Sequence, residues 1–119
     1  PWSRSTQARL IDQASKAGAN GIFLDFIYDS PGTAAEDQAF EDSLRRAGRV
    51  TLADRAKLGP SDQFEEPTPP LPRFTRWART ASITVYYNWQ TAVWHMSRPL
   101  QARHGGMQPF SVALSGKPV

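Results

Sequence analysis

The sequence predicts an α/β fold, a βαβ-type sheet flanked by helices, with an antiparallel hairpin in the C-terminal half. Three patterns lead there. Residues 3–54 alternate helix-periodic stripes with short apolar runs, joined by brief turns. Residues 21–28 form an apolar run interrupted only by Asp25, which suits a strand covered on both faces. Near residue 82 the pattern changes to period two, the mark of a half-covered strand and its return partner.

Residues 3–17 read as a helix. Ser3 or Ser5 is suited to cap its start, Ala8, Ile11, Ala14 and Ala17 recur at helical spacing, and Gly18 stands at its stop. The run 21–28 follows as the first strand, and Ser30-Pro31-Gly32 marks a turn. Thr33-Ala34-Ala35-Glu36 matches a capping box, with the Thr33 hydroxyl accepting from the Glu36 N–H and Glu36 reaching back. Phe40, Leu44 and Ala47 continue that helix as an i, i+4, i+7 stripe. Acids stand at its start, Arg45 and Arg46 near its end, and Gly48 after it, as the helix dipole and a left-handed stop favour.

Residues 49–54 read as a second strand. Short turns around a helix imply parallel pairing through a right-handed crossover. The first helix has no strand before it, and that strand is expected outside this sequence. Residues 57–72 hold Gly59, Pro60, Pro67, Pro69, Pro70 and Pro72 and read as a long surface loop. A short helix is expected near 73–80. Ile83, Val85 and Tyr87 then alternate with Ser82, Thr84 and Tyr86, and residues 92–97 return as the hairpin partner. Pro109 opens a last short helix through Leu114.

With 119 residues, the chain has the size of a single domain, 1–119. It contains no cysteine, which excludes a disulfide framework and thiolate metal sites. No apolar run approaches the roughly 20 residues that cross a bilayer. The sequence opens at Pro1 without an initiating Met, as expected of a piece of a larger protein. Any membrane anchor is therefore expected outside it. The net charge is +3. Arg73, Arg76 and Arg79 recur by threes around Trp77 and read as a solvated helix face rather than a phosphate-contacting stripe; no nucleic-acid partner is expected.

Catalytic and metal motifs are missing from the sequence. His95 and His104 stand nine apart, without metal-ligand spacing. There is no Gly-x-Ser-x-Gly elbow and no phosphate-cradling glycine loop. No catalysis and no cofactor are expected of this chain. Asp25 stands out, because an acid inside a covered strand is costly unless paired. Ligands of open α/β sheets bind outside the carboxyl ends of the strands, where Asp25 and Asp29 fall. They read either as polar anchors for a small ligand or as structural acids, with Asp25 fixing the Ser30–Gly32 turn or meeting Arg4 or Ser5. Tyr86, Tyr87, Trp89 and Trp94 read as cross-strand packing or an interface, with a ring-stacking platform as the alternative.

Taken in order, these segments resemble the type-two CHASE domain, an extracellular sensor module of bacterial adenylate/guanylate cyclases, histidine kinases and serine/threonine kinases. Pro1-Trp2-Ser3-Arg4 stands where the family has a Trp-Pro-Trp-Pro-Arg-like opening. Leu10-Ile11-Asp12-Gln13-Ala14-Ser15-Lys16-Ala17-Gly18-Ala19 follows its Leu-Ile-x-x-Ala-x-x-Ala-Gly-Ala helix. Phe23-Leu24-Asp25-Phe26 is similar to its Phe-Asp step, with one residue more between the two. An acidic helix (Glu36–Phe40) and a short strand (Val50–Ala53) come next. Ile83-Thr84-Val85 fits a later strand, while Asn88-Trp89-Gln90-Thr91 replaces the family's acidic-glycine turn. Met96-Ser97-Arg98-Pro99-Leu100 keeps the family's arginine and Pro-Leu, and Pro109–Leu114 matches its Pro-Ser-Leu-Ala-Leu step.

The resemblance implies a periplasmic, extracytoplasmic domain of an inner-membrane receptor that controls a cytoplasmic cyclase or kinase. The signal is an unknown small molecule or protein, and a homodimer is one expected assembly. Asp25, Asp29 and Arg98 are the candidate ligand-binding residues. Two other classes stay open: a fragment of an α/β hydrolase-like enzyme using Asp25, and a structural dimerisation module with the aromatic hairpin as its interface.

Overall fold

A computed structural model describes residues 2–58, 65–83, 86–87, 93–95 and 110–116. Helix α1 spans Arg4–Lys16; the Ser3 hydroxyl caps it by accepting from the Thr6 N–H at 3.2 Å. Strand β1 is Ile22–Leu24, three residues of the eight expected. Helix α2 spans Ala34–Ala47 and is capped by Thr33, which accepts from the Glu36 N–H at 3.3 Å. Only this half of the expected capping box forms in the way the sequence suggests. The Glu36 carboxylate instead accepts the Ser5 hydroxyl at 3.1 Å, so it ties α2 to α1. Gly48 ends α2 at φ 66°, a left-handed conformation that side chains with a Cβ disfavour.

Strand β2, Val50–Leu58, organises the sheet. It pairs parallel with β1 over Val50–Leu52 and, on its other side, with β4, Arg79–Ser82, over Thr51–Asp54. Its last four pair antiparallel with β3, Glu65–Thr68. Pro67 sits opposite Ala56, a tolerable place for a residue without an N–H on a short outer strand. Helix α3 is Pro72–Thr75, with proline at its first position, and α4 is Phe110–Ser115.

Two expectations need correction. The second half is not organised by an antiparallel hairpin. The chain leaving α3 enters the main sheet at Arg79, earlier than the period-two pattern suggested, and extends β1–β2 into a three-stranded parallel sheet. Beyond it, a separate and irregular ladder joins β5 (Tyr86–Tyr87) to β6 (Val93–His95) over two residue pairs, outside that sheet. The proline-rich stretch 57–72 is not all loop either. Parts of it belong to β2, β3 and α3, because pairing with the end of the preceding strand overrides the local bias of Pro67.

The core lies on one face of the sheet. Ile22, Leu24, Val50 and Leu52 meet Ile11 of α1, Phe40 and Leu44 of α2, and Phe74 of α3. Tyr28 stacks on Phe40 at 4.6 Å, and Phe74 meets Phe40 edge-on at 5.1 Å. Because side chains alternate along strands, Phe23, Thr51 and Arg79, which form one cross-strand row, project from the other face. Truncating Phe40, which is fully buried, is expected to cost about 3–5 kcal/mol. Denaturant melts of Phe40→Ala against the parent check this; a loss below about 1 kcal/mol would remove Phe40 from the core.

Candidate functional site

The parallel sheet has two chemically different ends. At the carboxyl end stand the acids. Asp25 follows β1 and is exposed, so it is not the buried strand acid that the sequence suggested. The strand stops at Leu24 before reaching it. Asp29 is exposed too, and accepts the Ser30 hydroxyl at 2.9 Å. Arg98, His104 and Trp89, with the side chains of Tyr86, Tyr87, Trp94 and His95, lie outside the described residues.

The turn-fixing role considered for Asp25 belongs to Asp37. Its carboxylate is buried, pairs with the Arg4 guanidinium, and accepts the Gly32 N–H at 3.2 Å. Arg4 also donates to the Ser30 carbonyl at 2.5 Å. Gly32 fits because a Cβ there would come within 2.9 Å of both Arg4 Nη1 and Asp37 Oδ1. Nearby, the Tyr28 hydroxyl donates to Gln7 Oε1 at 2.9 Å; burial pushes this phenol above its ordinary range, opposed by Arg4. This cluster holds α1, α2 and the connecting turn together.

The buried acid of the sheet is Asp54, a residue that sequence reasoning passed over as a strand terminus. It lies where β2 exchanges β4 for β3, opposite Ser82, and is 2% exposed. Its Oδ1 has no hydrogen-bond partner. Burial raises its carboxyl above the ordinary aspartate value, against the Thr68 N–H, which favours the ionised form. The signal available in the sequence was an acid directly after Val50-Thr51-Leu52-Ala53, the same arrangement that drew attention to Asp25.

At the amino end of the strands lies a cleft of about 940 Å³. Phe23, Arg49, Thr51 and Arg79 contribute from the sheet face away from α1 and α2; Arg76 and Trp77 from the turn before β4; Ala113 and Leu114 from α4. Arg49, Arg76 and Arg79 are exposed. The Arg73–Arg76–Arg79 series is therefore not one helix face. Arg73 sits in α3 and binds Glu41 through two N–H groups at 2.9 and 2.7 Å, whereas Arg76 and Arg79 open on the cleft. The Trp77 indole N–H donates to Glu41 at 3.2 Å, and the Arg73 hydrogen bonds, with this contact second, lower the Glu41 carboxyl below its ordinary value. Arg49 could not be singled out from sequence, since only parallel pairing of β2 with β4 brings it beside Arg79. Among the described residues, no group of three or more His, Cys, Asp or Glu is placed to hold a metal ion, and no helix is long and apolar enough to cross a membrane.

A parallel sheet with α1 and α2 packed on one face and a cleft at the amino end of the other defines an α/β domain. The CHASE2 domain model matches residues 1–114, and the chain belongs to that family of extracellular sensory domains of membrane proteins. No curated protein and no solved structure matches the chain.

Two outcomes follow from the buried charges. Arg4→Met leaves Asp37 buried without its main partner and is expected to cost about 3–5 kcal/mol in denaturant melts. The double variant Arg4→Met/Asp37→Asn is expected to lose clearly less than the sum of the two single losses. Strict additivity would remove the pair from the account.

Asp54 gives a pH signature. Its carboxyl is raised on folding, so the folded state binds the proton more tightly than the unfolded state. Its contribution is free of penalty below the unfolded value of 3.8, and the penalty grows as pH rises through the folded-state pKa. Asp54→Asn is thus expected to gain stability relative to the parent as pH rises from 3.8 towards neutral. Denaturant melts of both proteins across that range measure it, and a pH-independent difference would contradict it.

Proposed function

We propose that this chain is the extracytoplasmic signal-sensing domain of a bacterial inner-membrane receptor. It takes up a small-molecule or protein signal and controls a cytoplasmic adenylate/guanylate cyclase or kinase. The CHASE2 match over residues 1–114 carries this reading. The cleft of about 940 Å³ supports it, being of a size that suits a metabolite. Its walls come from three strand starts and α4, so occupancy would bear on several elements at once, as a sensor requires for relaying binding to its neighbours.

Asp25 and Asp29, at the opposite, carboxyl end, and Arg98, outside the described residues, are the alternative ligand contacts of this proposal. The full-length receptor tests the reading. Reporter fusions placed within this domain should report an extracytoplasmic location. Thr51→Trp, which fills the cleft, should shift the basal cyclase or kinase output by several-fold while leaving the receptor in the membrane. A cytoplasmic location, or an output indifferent both to Thr51→Trp and to deletion of the domain, would overturn it.

A further inference from the structure

The cleft has a definite electrostatic character. Three guanidinium groups line it, and no Asp or Glu does among the described residues. Their arrangement follows from the backbone. Thr51 is paired with Arg79 across the β2–β4 ladder, and Arg49 stands directly before β2, so Arg49 and Arg79 both line the cleft at the amino end of the sheet. Arg76 joins them from the turn that precedes β4.

The nearby acids are paired mainly with other arginines, although the Arg76 charge also acts on Glu41. Glu41 is engaged by Arg73 through two N–H groups and by the Trp77 indole. Asp42 is taken by Arg45 and Asp12 by Arg46. Arg49 donates one N–H to the Ala19 carbonyl at 3.2 Å and has no ion-pair partner among the described residues. Arg76 and Arg79 have no ion-pair partner among the described residues. The cleft is also half-walled by Phe23, Trp77 and Leu114, and low-dielectric walls strengthen the field of charges beside them.

From this we infer that the amino-end cleft binds a small anion bearing carboxylate or phosphate groups, gripped by Arg49, Arg76 and Arg79. Guanidinium forks match both oxyanion geometries and need no ordered metal. The apolar wall favours a ligand with a short carbon body over a bare inorganic ion. The inference rests on the sensor reading only for its signalling consequence, since binding itself is a property of the cleft.

Calorimetric titration of the full 119-residue chain with citrate and, separately, pyrophosphate at low ionic strength tests it. One-to-one binding is expected for at least one probe, and the two arms separate carboxylate from phosphate preference. Arg49→Ala and Arg79→Ala should each weaken binding about tenfold or more, a loss of about 1.4 kcal/mol. Arg79→Lys keeps the charge and the fold but loses the fork, and should weaken binding several-fold. Arg9→Ala removes an exposed arginine of α1 that does not line the cleft and should change nothing.

Absence of binding by both probes overturns the inference, as does equal weakening by Arg9→Ala and Arg79→Ala, which would mean diffuse charge rather than a site. The sensor reading is judged separately, by the output of the full receptor. Binding that leaves that output unchanged supports the site and overturns the sensing role.

Discussion

The ion pair between Arg4 and Asp37 is the contact on which the rest of the arrangement depends. It joins the first turn of α1 to the first turn of α2, and through Ser30 and Gly32 it fixes the connection between β1 and α2. Taking two charges out of water is expensive, and the pair is tolerable only because each group has further partners. Asp37 also accepts the Gly32 N–H and lies 3.7 Å from Arg73; Arg4 also donates to Ser30 and rests over the rings of Tyr28 and Phe74. With the helix starts locked together, both helices lie on the same side of the sheet, and Ile11, Phe40 and Leu44 cover Ile22, Leu24, Val50 and Leu52.

That one-sided packing shapes the functional surface. The sheet face away from α1 and α2 carries Phe23, Thr51 and Arg79, and its amino end opens into the cleft. Charge is divided along the strands: Asp25, Asp29 and Asp54 stand at or beyond the carboxyl end, Arg49, Arg76 and Arg79 at the amino end. A domain of net charge +3 thereby presents a concentrated positive cleft at one place, which is a stronger basis for recognition than mild overall basicity. Asp54 adds a strained point at the other end, a buried carboxyl with one oxygen unpartnered, at the residue where β2 changes neighbours.

Local physics made the helices legible in the sequence. Ser3 and Thr33 cap where hydroxyls are expected to cap, the Phe40–Leu44–Ala47 stripe is buried, and Gly48 takes the left-handed turn. The parallel pairing of β1 with β2 was legible too, from a helix enclosed by two short apolar runs. What depended on strand pairing rather than local pattern was not. Glu65-Glu66-Pro67-Thr68 has no strand character of its own and becomes β3 only against Arg55–Leu58. β4 begins at Arg79 rather than Ser82 because β2 supplies its ladder, which places Arg79–Ser82 in the parallel sheet. The candidate site suffered in the same way. Asp25 looked buried because the apolar run continues past it, yet the strand does not. Arg49 and Arg79, thirty residues apart in sequence, come to line one cleft because Thr51 pairs with Arg79.

The central claim is that the amino end of the sheet, on the face away from α1 and α2, is where this sensory domain recognises its ligand. Mapping backbone amide NMR shifts during a pyrophosphate titration tests it most directly. The account predicts saturable shifts concentrated at residues 20, 21, 23, 48–51 and 76–80, which line the cleft. Shifts centred instead on Asp25, Asp29 and Asp54 would contradict it and move recognition to the carboxyl end.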